Sequence, residues 1–197
     1  MKKVQLNEIA EVYSGCPVKR KAAGKFEKAA ERYQLITLKS FHENGHIDPE
    51  YVTDFRSAER VNSKFLVQSG MIIMRLTKPY TVVHIPTEWE DDNYLIPSQF
   101  AILNIRHPEV VLPGFVAYYL NSAPVKQYFS KLSTGSAISK LTLRQIKDID
   151  VRVVELSKQK KFMELKNIVE RYIETVRSIA RENQQLLKAL YRQLIEP

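Results

Sequence analysis

The chain has 197 residues, a formal net charge of +8 and 44% hydrophobic residues. That is enough for one domain with a real core plus an additional element, and no apolar run approaches the ~20 residues that a membrane span needs. Cys16 is the single cysteine, which excludes an internal disulfide and points to a reducing compartment, and Met1-Lys2-Lys3-Val4-Gln5-Leu6 does not resemble a signal peptide, so a cytoplasmic location is expected. Residues 157–197 hold nine Lys and Arg against five Asp and Glu, a net +4, which leaves +4 for residues 1–156. Basicity is thus spread along the chain, which suits a nucleic-acid partner without demanding one.

In chain order, Leu6-Asn7-Glu8-Ile9-Ala10-Glu11-Val12 puts Leu6, Ile9 and Ala10 on one helical face before a break at Ser14-Gly15, and reads as a short lead-in turn. From Pro17 to Arg32 the chain is basic and poor in large apolar groups, and Lys19, Arg20 and Lys21 mark a surface loop suited to phosphate contact. Tyr33–Leu38 predicts a strand, and Asn44-Gly45 beyond it a hairpin turn. That turn lies inside His42-Glu43-Asn44-Gly45-His46, which spells the H-E-x-x-H zinc pattern. The pattern needs a helix to point both imidazoles at one metal, and Asn-Gly disfavours one, so a polar loop tip with no metal is expected.

Gly70–Leu76, Tyr80–Ile85 and Phe100–Ile105 read as three core strands, the first two joined around Lys78-Pro79. The residues between and beside them are the candidate ligand contacts. Arg75, Thr77, Lys78, Tyr80, Ser98 and Gln99 offer donors and a stacking ring, and Arg, Lys and Gln can read base edges. Ser136 and Lys140, in and just after the Thr134-Gly135-Ser136 turn, complete the set of DNA-binding candidates. Helices are predicted from Pro113, from Ser122-Ala123-Pro124 to near Leu132, and from a Thr142/Gln145 capping box to Asp148, and Ile149–Val154 alternates like a strand.

Ser157–Leu194 predicts one uninterrupted helix about 58 Å long. Along it Phe162, Leu165, Val169, Tyr172, Val176, Ile179, Asn183, Leu186 and Leu190 recur at alternating steps of three and four, the a/d spacing of a coiled coil. β-Branched a residues with one Asn favour two strands in a fixed register, so this seam is the expected dimerisation surface. A second stripe, Ile173, Ala180, Leu187 and Leu194, widens the apolar face and offers a place for a further helix. The expected organisation is therefore an α+β fold: a mixed domain over residues 1–156 and a coiled-coil helix over 157–197.

His84 and His107 stand apart from any nucleophile motif, and the sequence holds no phosphate-cradling glycine loop and no G-x-S-x-G elbow. Asp91-Asp92 and Asp148/Asp150 read as a solvated loop and a helix end. The expectation is a binding protein without catalytic residues or cofactor; a coiled-coil scaffold and a stand-alone DNA-binding regulator are the alternatives.

The order of these pieces resembles the DNA specificity subunits of type I restriction-modification systems, in a form with one target-recognition domain. The resemblance rests on Leu6–Gly15, Val67-Gln68-Ser69-Gly70-Met71-Ile72-Ile73, Tyr118-Tyr119-Leu120-Asn121-Ser122, and Thr134-Gly135-Ser136 running to Leu141-Thr142 and Ile146-Lys147-Asp148-Ile149. The chain departs from the family at Val153–Gln159, where a Pro-rich step usually precedes the helix, and at Met71, where an acidic residue is usual. The resemblance implies a subunit that performs no chemistry, chooses the DNA sequence, and holds an adenine-specific methyltransferase subunit and, through it, a restriction subunit. It also implies a homodimer through the C-terminal helices, which run antiparallel in the family, and a bipartite, palindromic site.

Overall fold

A computed structural model describes residues 2–24, 27–41, 47–90, 93–133 and 140–195. Two adjacent apolar runs determine its centre. In β5 (Ile72–Arg75) and β8 (Phe100–Ile105) the side chains of Ile72–Met74 and Phe100–Leu103 are buried without alternation, the mark of strands covered on both faces. They pair antiparallel, and β2 (Ala10–Ser14) and β6 (Val82–His84) flank them, giving the strand order β2-β8-β5-β6.

Because successive side chains in a strand point to opposite faces, this sheet divides the core by residue parity. Ala10, Val12, Ile72, Met74, Val82, Ala101 and Leu103 face one cluster, which is closed by helices α2 (Pro113–Asn121), α3 (Ala123–Leu132) and α4 (Leu143–Lys147). Ile73, Val83, Phe100 and Ile102 face the other, packed on Ile36, Phe41, Ile85 and Ile96. A ribbon of β1 (Lys2–Gln5) and β9 (Asp150–Val153) adds Val4 and Val151 to the helical side. A three-stranded sheet of β4 (Thr53–Ser57), β3 (Glu31–Leu35) and β7 (Tyr94–Leu95) borders the opposite side.

Local signals explain the helices. Pro lies in the first turn of α2 and of α3, where its missing N–H costs nothing. Gln145 donates its backbone N–H to Thr142 Oγ1 at 3.2 Å and returns Oε1 to the Thr142 N–H at 2.9 Å, the capping box expected for α4. The expected lead-in turn is a single helical turn, and a strand that the periodicity does not predict follows it. α1 covers only Leu6–Ile9, and Ala10–Ser14 is β2, in register with Ala101–Ile105. Leu6 and Ala10 are buried as a helical face requires, but Val12 is buried too, and pairing along β8 satisfies five residues of backbone that an isolated turn would leave to water.

The chain divides into two units, Met1–Leu156 and Ser157–Pro197. The second holds all but the first residue of helix α5, which runs forty residues from Leu156 to Ile195, about 60 Å. Its apolar seam is open along most of its length: Leu165, Val169, Tyr172, Val176, Ile179, Leu186 and Leu190 are all exposed, and so are Ile173, Leu187 and Leu194 of the second stripe. Among the described residues no helix is long and apolar enough to cross a membrane.

Candidate nucleic-acid interface

Four segments of the chain meet at one end of β5 and β8. Beyond β5, the Leu76 carbonyl accepts the Leu141 N–H at 2.8 Å, and the Leu76 N–H donates to the Gln99 carbonyl at 3.2 Å. Thr77 bridges Lys140 in an antiparallel pair. On the other side, Cys16 donates to the Ile96 carbonyl at 2.7 Å and accepts the Ser98 N–H at 2.8 Å. The turns at 75–80 and 96–99, the segment at 140–141 and the approach to the 17–20 loop are thereby tied together through their backbones. Six of the residues expected to touch DNA stand on these segments: Arg75, Thr77, Lys78, Ser98, Gln99 and Lys140.

Their side chains are not equivalent. Lys78, Gln99 and Lys140 are exposed, and Lys140 Nζ reaches the Ser98 carbonyl at 3.5 Å. Arg75 is half-buried; its Nε donates to Thr77 Oγ1 at 3.1 Å and an Nη to the Leu38 carbonyl at 3.4 Å. Burial pulls its guanidinium down from the ordinary arginine value. With two of five donors spent inside the protein, Arg75 fixes the loop more than it reaches outward. The bond to Leu38 brings exposed Lys39 beside this cluster, a residue that sequence reasoning missed; its one signal was a basic side chain at the end of the Tyr33–Leu38 run.

Tyr80 corrects an expectation. Its ring is 1% exposed and packs edge-on against Phe129 at 5.7 Å, while its hydroxyl meets Ser133 Oγ at 2.5 Å, so it cannot stack on a base. It holds a left-handed φ of 56°, which a bulky residue keeps only where packing fixes it. The Lys78-Pro79 bond just before it is cis. Tyr80 is the internal anchor of the turn that presents Lys78.

Lys19, Arg20 and Lys21 also separate. Val18–Arg20 forms one 3-10 turn with Lys19 and Arg20 exposed. Lys21 ion-pairs with Glu59 and lines a different recess, of about 570 Å³, with Glu31, Tyr33, Arg60 and Asn62. The bond to Glu59 pushes its ammonium pKa up. Its charge is already matched, whereas those of Lys19 and Arg20 are open to a phosphate. Ser136, the His42–His46 pattern and Asp91-Asp92 lie outside the described residues. Asp150 pairs with Lys3 at 2.8 Å, and Asp148 caps the end of α4.

No protein-family model matches the chain, and no curated protein matches it in sequence. Solved structures do match. The chain aligns with a chain of a type I R-M system, solved for its complex assembly and conformational transition, at a TM-score of 0.67 and 13% identity, covering 99% of this chain and 48% of that one. With the HsdS subunit from Thermoanaerobacter tengcongensis the TM-score is 0.63 at 13% identity, covering 98% and 47%. With the type I restriction-modification S subunit from M. genitalium it is 0.59 at 14% identity, covering 99% and 46%. The chain spans about half the length of these structures, and its fold, a mixed sheet-and-helix domain followed by a long C-terminal helix, is that of about half of a type I specificity subunit.

Proposed function

We propose that the chain is a non-catalytic DNA-specificity half-subunit: residues 1–156 recognise DNA, and residues 157–197 join two copies and hold a methyltransferase. The observation that carries this reading is the fold, that of about half of a type I specificity subunit, ending in a helix whose apolar seam is exposed. The a/d spacing of that seam fits a second copy of the same helix. A twofold pair presents two identical domains, so its half-sites are identical and inverted. The cluster of Lys78, Gln99 and Lys140, with Lys39 beside it and Lys19 and Arg20 on the adjoining loop, supplies the cations and amide that a duplex requires. An adenine-specific methyltransferase subunit, and through it a restriction subunit, are the protein partners this reading assigns.

Alone, the protein should bind duplex DNA weakly and with a steep salt dependence, and should neither methylate nor cut it. Co-expression with the cognate methyltransferase subunit should create one methylated motif, a palindrome split into half-sites about 34–36 Å apart. Methylome sequencing and fluorescence anisotropy across salt test this together. An asymmetric or unsplit motif removes the symmetric half-subunit. Absence of both DNA binding and salt slope favours a scaffold; DNA binding without any new methylation favours a regulator.

A further inference from the structure

From Leu165 to Leu190, short of the next d position at Gln193, the a and d positions of α5 hold two polar side chains, Tyr172 at d and Asn183 at a, among apolar ones. Both are exposed, and neither hydrogen-bonds any other described residue of the chain. Other polar groups of the helix are engaged within it: Lys166 with Glu170 at 2.5 Å, Thr175 Oγ1 with the Arg171 carbonyl at 2.9 Å, Ser178 with Glu182 at 3.3 Å. All of these stand off the seam. The two groups in the seam are the ones left for a partner.

Taking as given the dimer proposed above, and the antiparallel helices that the family resemblance implies, we infer one register for the pair, in which Tyr172 of each helix meets Asn183 of the other. Reversing one helix sets every a position opposite a d position. Placing Asn183 opposite Tyr172 then places Val176 opposite Ile179, Val169 opposite Leu186 and Leu165 opposite Leu190, all apolar on apolar. By symmetry the Tyr–Asn pair forms twice, and the overlap runs about 48 Å, from Phe162 to Gln193, which face each other at its two ends. A slide of one heptad sets Asn183 against Leu165 or Ile179, and Tyr172 against Val176 or Leu190, so that four polar groups per dimer are desolvated without partners. Parallel pairing does join Asn183 to its twin. It also faces Tyr172 with Tyr172 and sets Lys161 at g beside Lys166 at e of the other helix, twice per dimer. The antiparallel register avoids both, because Lys166 lies there along the apolar second stripe of the partner.

Cysteine pairs in the full-length protein test this, with Cys16 left in place because it is buried. Val169→Cys with Leu186→Cys, and separately Leu165→Cys with Leu190→Cys, should give a covalent dimer on mild oxidation, while each single substitution should not. Cross-linking instead in Val176→Cys/Leu186→Cys or Val169→Cys/Ile179→Cys overturns the register and keeps the dimer. Efficient self-cross-linking of single Val169→Cys overturns the antiparallel orientation. Sedimentation showing a monomer at micromolar concentration removes the dimer reading itself. As a second readout, Tyr172→Phe and Asn183→Leu should each weaken dimerisation by about tenfold, and the double variant by about the same factor. Multiplication to about a hundredfold would mean that the two side chains do not meet.

Discussion

Tyr80 Oη and Ser133 Oγ hydrogen-bond at 2.5 Å, and since Ser133 Oγ also reaches the Ser130 carbonyl, which can only accept, at 3.1 Å, the arrangement that serves both contacts has Tyr80 as the donor. One hydrogen bond therefore links the turn that carries Lys78 to the end of α3. The same tyrosine is the stacking candidate that the core absorbed. Tyr80→Phe should cost about 1 kcal/mol, since Ser133 still donates to Ser130 and only its acceptor role goes unfilled. Tyr80→Ala, which empties a site packed on Phe129, should cost about 3–5 kcal/mol. Urea denaturation measures both. In the Phe variant the DNA sequence choice should stay unchanged, because the ring never reaches solvent.

Gly15 sets the base of the 96–99 turn. A Cβ there would come within 2.4 Å of the Pro97 carbonyl oxygen and 2.5 Å of that of Ile96, and both are backbone that cannot swing away. Gly15→Ala should cost about 1–3 kcal/mol and weaken DNA binding by displacing Ser98 and Gln99. Gly24→Ala, whose nearest neighbour is the Glu27 carboxylate at 3.5 Å, should change stability by no more than about 0.5 kcal/mol. Equal costs at the two positions would refute the close-approach argument.

How far the sequence shows this molecule depends on how local each signal is. The α5 seam is a pattern along one helix, and β5 and β8 are continuous apolar runs, so all three are legible without knowing their neighbours. β2 is not: Ala10 fits a helix begun at Leu6 as well as a strand, and pairing with β8 decides it. β4 carries mostly exposed residues, and only its register with β3 makes it a strand. The candidate contact positions could be named from the sequence, but not how their side chains are engaged. Lys78 and Gln99 do face solvent, but whether a tyrosine two residues after Lys78 turns outward, or whether Lys21 finds Glu59, depends on bonds that span 53 and 38 residues of sequence. No periodicity carries that information.

Cys16 is fully buried next to the same turn, and burial pushes its thiol pKa up, with Lys21 opposing the shift and Glu59 adding to it. The native protein should therefore react slowly with a thiol reagent such as DTNB and react freely once unfolded. The folded thiol keeps its proton above the ordinary value of 9.0, where the unfolded thiol releases it. Its contribution to stability should thus decline from that pH upward until the folded thiol itself ionises, and Cys16→Ala should remove that part of the pH dependence. Chemical denaturation at several alkaline pH values provides the comparison.

The candidate contact residues should divide into three groups when changed singly to Ala. Lys19 and Arg20 are exposed on a 3-10 turn, and each replacement should weaken binding to all sequences alike and lower the slope of log affinity against log salt by about 0.9, because one phosphate is no longer neutralised. Lys21 is matched by Glu59 and faces the 570 Å³ recess, so its removal should leave that slope nearly unchanged. Lys78 and Gln99 stand exposed on the two turns joined through Leu76. Their replacement should alter which sequences are modified when the methyltransferase is present, at a cost of about 1–3 kcal/mol for the preferred base. A salt titration separates the first two groups, and methylome sequencing identifies the third. If Lys21→Ala lowered the salt slope as much as Lys19→Ala, the ion pair would not be shielding that charge. If Lys78→Ala and Gln99→Ala both left the motif intact, base reading would have to move from the 75–80 and 96–99 turns to the neighbouring segments that carry Lys39 and Lys140.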